Sequence, residues 1–153
     1  SKEGLNLSET REILHNAFVL KKAYDSIWDD ISEKFALTRA EIDVIAFLAN
    51  NPQLDTASSV VEYRMIAKSH VSKAVEHLIS RGFVVGNKDS KDRRQVHLVL
   101  TDEAKEAVHE IAARQKEFVR RVNDGITDEE FKMFKKISEK IIKNIEATAS
   151  EKV

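Results

Sequence analysis

The chain has 153 residues, 42% hydrophobic and 33% charged, with a formal net charge of -1. This suits one compact globular domain, 1–153, and no apolar run approaches the roughly 18 residues of a membrane span. Cysteine is absent, which excludes disulfides and thiol redox chemistry, and a single proline points to helices over most of the length.

Over 8–34, apolar residues recur as Leu14, Ala17, Leu20, Tyr24, Ile27 or Trp28, Ile31 and Phe35. Steps of three and four predict one long amphipathic helix, with Ser8 as its cap and Glu9 and Glu12 in its first turns. Thr38 with Glu41 three residues on has capping-box spacing, and Asn50-Asn51-Pro52 stops the helix that follows. A short helix is expected from Asp55 or Thr56 to Tyr63, with Val60 and Val61 inward. After a turn at 64–66, a helix over 68–80 turns Val71, Ala74, Val75 and Leu78 to the core. Gly82 follows where a helix end favours a residue tolerant of positive φ.

The period then changes. Residues 83–85 are strand-like, 86–93 form a polar charged tip, and 95–100 alternate again, which reads as a β-hairpin. Thr101 is expected to cap a helix reaching Val122, and Thr127 with Glu130 to open a last one lined by Phe131, Phe134, Ile137, Ile141 and Ile145. Two short helices, the second basic outside, followed by a hairpin make a winged helix-turn-helix over 38–100. The fold class is therefore mainly α, with long terminal helices at 8–35 and 101–147 and a two-stranded β-wing. Those terminal helices carry apolar stripes that the reading lobe does not need. They pack either on their own domain or against a second copy, and a homodimer is the favoured expectation.

Charge is unevenly spread. Between Glu62 and Arg94 eight basic residues face four acids, a net of +4, whereas the first 35 residues carry five basic and seven acidic ones, a net of -2. A basic middle in a near-neutral chain is the electrostatic footprint of a nucleic-acid binder.

Particular residues then carry a resemblance. Leu37-Thr38, Val71-Ser72-Lys73-Ala74-Val75, Leu78, Arg81-Gly82-Phe83-Val84, Asp92-Arg93-Arg94 and Val99-Leu100-Thr101 together resemble the MarR family of transcriptional regulators. The Asp-Arg-Arg just ahead of a strand ending in Leu-Thr is the specific part. The resemblance implies a triangular homodimer with interlocked first and last helices. It also implies a recognition helix in the major groove and a wing in the minor groove of a pseudo-palindromic operator. Family members are usually repressors released by small anionic aromatic ligands or by cysteine oxidation, and the second route is closed here. The chain departs from the pattern in three places. Ala104 replaces a frequent glycine, Val85-Gly86 lacks a common arginine, and Ser58-Ser59-Val60-Val61 stands where a Leu-Ala pair is usual.

Lys68, Ser69, His70, Ser72 and Lys73 match the exposed part of the recognition helix, facing phosphates or base edges. In the wing the candidates are Lys91, Asp92, Arg93 and Arg94. Asp92 and Arg94, two residues apart, share a face of an extended arm, so the carboxylate orients a guanidinium bound for the minor groove. The plainer alternative is a surface ion pair of little consequence. His15, Phe18, Tyr24 and Trp28 are the candidates for an effector pocket, with Arg11, Lys21 and Lys22 as further anion partners. A core stripe is the competing reading of those aromatics.

No phosphate loop, nucleophile elbow or metal motif organises the polar residues, so neither an enzyme nor a cofactor or metal site is expected. The expected partners are double-stranded DNA, a second copy and a small aromatic or anionic effector, without a membrane. Ser1-Lys2-Glu3-Gly4 lacks the apolar segment of a signal peptide, so a cytoplasmic location is expected. Two alternatives stay open: a winged-helix module for protein partners, and a constitutive repressor without effector.

Overall fold

The computed structural model describes residues 6–150, so Ser1-Lys2-Glu3-Gly4 lie outside the described residues. Contacts divide the chain into a unit ending at Phe118 and one starting at Val119.

In the first unit, α1 spans Leu7–Ser26 and α2 spans Asp29–Phe35. The cap of α1 is Asn6, not Ser8. Its side chain accepts from the Ser8 and Glu9 amides at 2.9 and 3.0 Å, and Glu9 returns a bond to the Asn6 amide. The single long helix expected over 8–34 is also broken, at Ile27 and Trp28. The break lets Trp28 and Ile31 turn into the core, where they are 2% and 1% exposed. It frees the Ile27 carbonyl, and Arg114 takes that carbonyl at 2.7 Å while gripping Asp30 through both terminal nitrogens. Periodicity could not register the break, because its compensating partner lies 87 residues away.

The central element is α3, Arg39–Asn50, with Thr38 and Glu41 completing its capping box and every residue from Glu41 to Leu48 buried. Then come α4, Ala57–Arg64, capped by Thr56, and α5, Lys68–Ser80. Val60 on α4 and Val71, Ala74, Val75 and Leu78 on α5 are buried as their spacing predicts. Burial of each Val or Leu contributes about 1.5–3 kcal/mol, enough to fix which side of α5 faces outward.

The hairpin pairs β1, Val84–Lys88, with β2, Val96–Leu100, antiparallel from Val84 opposite Leu100 to Lys88 opposite Val96. Its first strand runs past Gly86, so the turn is confined to 89–95, shorter than the expected 86–93 tip at its near end. Thr101 does not cap the next helix with its side chain. Its hydroxyl donates to the Gly82 carbonyl at 2.5 Å and its amide to the Phe83 carbonyl at 3.0 Å, tying the ends of the wing together. A 3₁₀ turn at Asp102–Ala104 leads into α6, Lys105–Val122, which buries Ala107 and Ile111.

In the second unit the capping box of Thr127 and Glu130 forms, with bonds of 2.9 and 3.2 Å, and starts α7 at Asp128–Ser150. None of the residues of α7 is buried, and the same holds for α1 in the first unit.

Gly82 ends α5 at φ +74°, with its amide bonded to the Ile79 carbonyl and that of Phe83 to the Leu78 carbonyl. This is the paired closure that requires a left-handed residue. An added Cβ would meet nothing within 4 Å. Gly82→Ala is therefore expected to cost about 1–2 kcal/mol from backbone strain alone. Urea unfolding at fixed protein concentration checks this, with a lowered midpoint and an unchanged slope.

Candidate nucleic-acid interface

The exposed side of α5 is set by what its other side buries. Lys68, Ser69, His70, Ser72 and Lys73 all lie on the exposed surface. The N-terminal residue of the helix boundary, Ala67, supplies no side-chain cap, so the first amides of α5 are left for an acidic group. Two contacts fix the helix to its scaffold. The His77 ring meets the buried Glu41 carboxylate at 2.6 Å. The Arg81 guanidinium donates to the Phe35 and Ala36 carbonyls at 2.7 and 2.9 Å and lies over the Phe83 ring.

Lys91, Arg93 and Arg94 are exposed at the wing's end. Asp92 and Arg94 stand in the turn and not on an extended arm, since strand pairing ends at Lys88 and Val96. They do meet. Asp92 Oδ1 accepts from the Arg94 amide at 3.1 Å and from its Nε at 3.3 Å, with the arginine side chain 93% exposed. The guanidinium's outer nitrogens are thus left projecting from a turn whose shape the carboxylate sets.

Sequence reasoning missed what holds that turn. Asp89 Oδ2 accepts from the Lys91 and Asp92 amides at 2.9 and 2.8 Å, while its Oδ1 lies 2.8 Å from His97 Nε2. The other ring nitrogen, Nδ1, lies 2.8 Å from Asp55 Oδ1 in the α3–α4 connection. The Asp92 amide, then the imidazole and the Lys91 amide, hold the Asp89 carboxyl down to about 2. Asp55 first, then Asp89, raise His97 above its ordinary value. Only the alternation of β2 hinted at His97, and nothing local pointed to Asp55, 42 residues away.

A cavity of about 700 Å³ opens beside α1, α2 and α3, lined by Tyr24, Trp28, Arg39, Asp43 and Arg64 among others. The structure brings Tyr24 and Trp28 together here but leaves His15 and Phe18 elsewhere, both exposed on α1. Of the expected anion partners, Lys21 lines the cavity and Arg11 and Lys22 do not. A helix 20 residues long turns its sides to different surroundings, so aromatics close in sequence need not share a pocket. Arg39 lies over both rings, 5.2 Å from the Tyr24 centroid and 5.6 Å from that of Trp28. It is also paired with Asp25 and Asp43, and Arg64 with Asp43 at 2.9 Å. Lys21, then Arg39, hold the Asp25 carboxyl below its usual range. Trp28 Nε1 is buried and finds no hydrogen-bond partner among the described residues.

Among the described residues there is no group of three or more His, Cys, Asp or Glu placed to hold a metal, and no helix long and apolar enough to cross a membrane.

The MarR family description matches residues 37–95, the stretch that builds the helix-turn-helix and most of the wing. The HTH-type transcriptional repressor MdtR of Bacillus subtilis is 30% identical over 98 residues, covering 64% of this chain and 63% of that protein. A MarR protein from Peptoclostridium difficile superposes with a TM-score of 0.75 at 25% identity, over 97% of this chain and 96% of its own. A MarR family regulator from Listeria monocytogenes, solved with a 26mer DNA, has the same fold, with a TM-score of 0.75 at 19% identity over 86% and 87% of the two chains. Over residues 37–95, which hold the helix-turn-helix and the Asp92–Arg94 turn, the chain is similar to the MarR family.

Proposed function

We propose that this protein is a transcriptional repressor that binds a pseudo-palindromic operator as a homodimer and is released by a small ligand. The observation that carries the DNA-binding reading is the exposed Ser69, His70, Ser72 and Lys73 side of α5, together with a wing tip whose Arg94 is oriented by Asp92. Lysine and the free helix N-terminus suit phosphates, and His70 and the serines suit base edges. The Listeria structure, solved on a 26mer DNA, supports the same use of this fold.

The second copy follows from unburied apolar surface. Phe134, Ile137, Ile141 and Ile145 recur at helical spacing along α7, each exposed by 46% or more, and Leu14 and Phe18 on α1 are 56% and 71% exposed. Stripes of this kind on long helices call for a partner, and a second copy of the same stripes is self-complementary about a twofold axis.

The ligand reading centres on the cavity beside Tyr24 and Trp28. The Tyr24 and Trp28 rings suit a flat apolar body. Lys21, Arg39 and Arg64 are balanced there by Asp25, Asp29 and Asp43. An anionic ligand must therefore compete with carboxylates already in place, which favours an aromatic molecule with a neutral acceptor such as a carbonyl or phenol.

Duplex DNA recovered from a random pool tests the first reading. Arg94→Ala is expected to weaken binding to it by about 1–3 kcal/mol per protomer, while Lys105→Ala, on α6, changes it little. Equal, negligible losses at both positions would remove the wing from the DNA. A panel of aromatic acids and neutral phenols, titrated at constant salt and pH and followed by Trp28 fluorescence, tests the ligand. A hundredfold loss of operator affinity corresponds to about 2.7 kcal/mol of coupling. Ligands that saturate the protein yet leave DNA affinity unchanged mark a constitutive repressor.

A further inference from the structure

His97 is placed in a way that constrains its protonation. Both ring nitrogens lie 2.8 Å from a carboxylate oxygen, one from Asp55 and one from Asp89. An ionised carboxylate only accepts hydrogen bonds, so both nitrogens have to donate, and only the imidazolium carries two N–H groups. The neutral ring satisfies one carboxylate and turns a lone pair toward the other.

The three residues also join two parts of the fold. Asp55 precedes α4 and is tied to β2 a second time, its carbonyl accepting from the Leu98 amide at 2.7 Å. Asp89 opens the wing turn and holds the amides of Lys91 and Asp92. Asp92 in turn holds Arg94. A continuous set of hydrogen bonds thus runs from the α3–α4 connection through His97 to the arginine assigned to DNA.

We propose that the Asp55–His97–Asp89 bridge positions the wing tip for DNA and holds only while His97 is protonated, so that Asp55 and His97 are positioning residues whose effect on operator affinity depends on pH. This rests on the DNA-binding reading above. It adds a proton as a regulating ligand, acting through residues that do not line the cavity beside Trp28.

The neighbouring groups are compatible with this. Opposite His97 in β1 stands the neutral Asn87, with Lys88 next to it. Lys91, Asp92, Arg93 and Arg94 complete the charged groups of the turn. In α4, Glu62 and Arg64 lie at the end away from Asp55. In α3, Arg39, Glu41 and Asp43 occupy the first turns, paired with Asp25, His77 and Arg64. Asp55 and Asp89 are the two carboxylates bonded to the ring.

The sign follows from the direction of each shift. His97 is raised above 6.5, by Asp55 first and Asp89 second, so the bridge is complete below 6.5 and is lost as pH rises through the raised value. Asp89 is lowered from 3.8 to about 2, so its contribution is present above 3.8 and fails only as pH falls toward 2. The bridge is therefore whole in mildly acidic solution and opens on the alkaline side.

Two measurements on the full chain test it. In the first, NMR follows the His97 ring and the backbone amides of Lys91, Asp92 and Arg94 from about pH 6 to about pH 8.5. The amides are expected to shift in step with loss of the ring proton, and silent amides during that titration overturn the proposal. In the second, affinity for the recovered duplex is measured over the same range at constant ionic strength. The wild type is expected to bind about tenfold more weakly at the alkaline end. Asp55→Asn rescues it, because an amide NH₂ donates to the neutral ring nitrogen and rebuilds the bridge without the proton. His97→Gln is expected to bind weakly throughout, with little dependence on pH. A pH slope that survives Asp55→Asn belongs to another group, such as His70 on the recognition side, and also overturns the proposal. If no duplex is retained at any pH, the DNA-binding reading falls, and the amide shifts still decide whether the bridge responds to the proton.

Discussion

Val71, Ala74, Val75 and Leu78 give α5 one dry side, and α3, buried from Glu41 to Leu48, supplies the surface against which that side packs. Everything outward on α5 follows from this contact. Its side chains are presented in a fixed order because a helix rotated by one residue would put Lys73 or Glu76 into the core, at a desolvation cost that packing cannot offset. The polar bonds then refine what the apolar contact decides. Near its C-terminal end, His77 on Glu41 ties α5 to the start of α3, and Arg81 on the Phe35 and Ala36 carbonyls ties it to the close of α2. A recognition surface on a helix of 13 residues needs such fixing at more than one point, since a small rotation about the axis re-aims every outward side chain.

The wing obeys a different logic. Its strands are short and mostly exposed, and Val84 and Leu98 are the strand residues that reach the core. Apolar burial therefore cannot fix the turn at 89–95. Hydrogen bonds do so instead: the Asp89 and Gln95 amides donate to the Gln95 and Asp92 carbonyls, and the Asp89 and Asp92 carboxylates accept further amides of the turn. Single exposed ion pairs contribute little energy, but a connected set that satisfies backbone amides decides geometry even where it adds little stability. The same contrast separates the two halves of the proposed function: the apolar core aims the recognition helix, and a polar network shapes the part that reaches around the DNA.

Local sequence patterns state some of these features and not others. The bounds of α5 follow from the sequence because Val71, Ala74, Val75, Leu78 and Gly82 state the period and the stop within a few residues of one another. The capping boxes at Thr38 and Thr127 were legible for the same reason. The break at Ile27 and Trp28 is not, since the apolar steps continue across it and the partner that satisfies the freed Ile27 carbonyl is Arg114 on a later helix. Asn6 outcompeted Ser8 as a cap by only two positions, which propensity alone does not resolve. In the candidate site, spacing and resemblance single out the side of α5 that is exposed and the Asp92–Arg94 pair that makes contact. Of the aromatic and histidine candidates on the first helix, a cavity takes in Tyr24 and Trp28 but not His15 and Phe18. Asp55, Asp89 and His97 converge only after the chain has folded, and no local pattern brings them together.

In the proposed function two copies of this chain read one stretch of DNA together, their recognition helices held at a set separation by the apolar sides of their long helices. The most direct measurement is selection of random duplex DNA by the purified protein, with the mass of the retained complex determined alongside the sequences. Two protomers are expected on inverted half-sites whose centres lie about one helical turn, roughly 34 Å, apart. A single asymmetric half-site occupied by one protomer would contradict it.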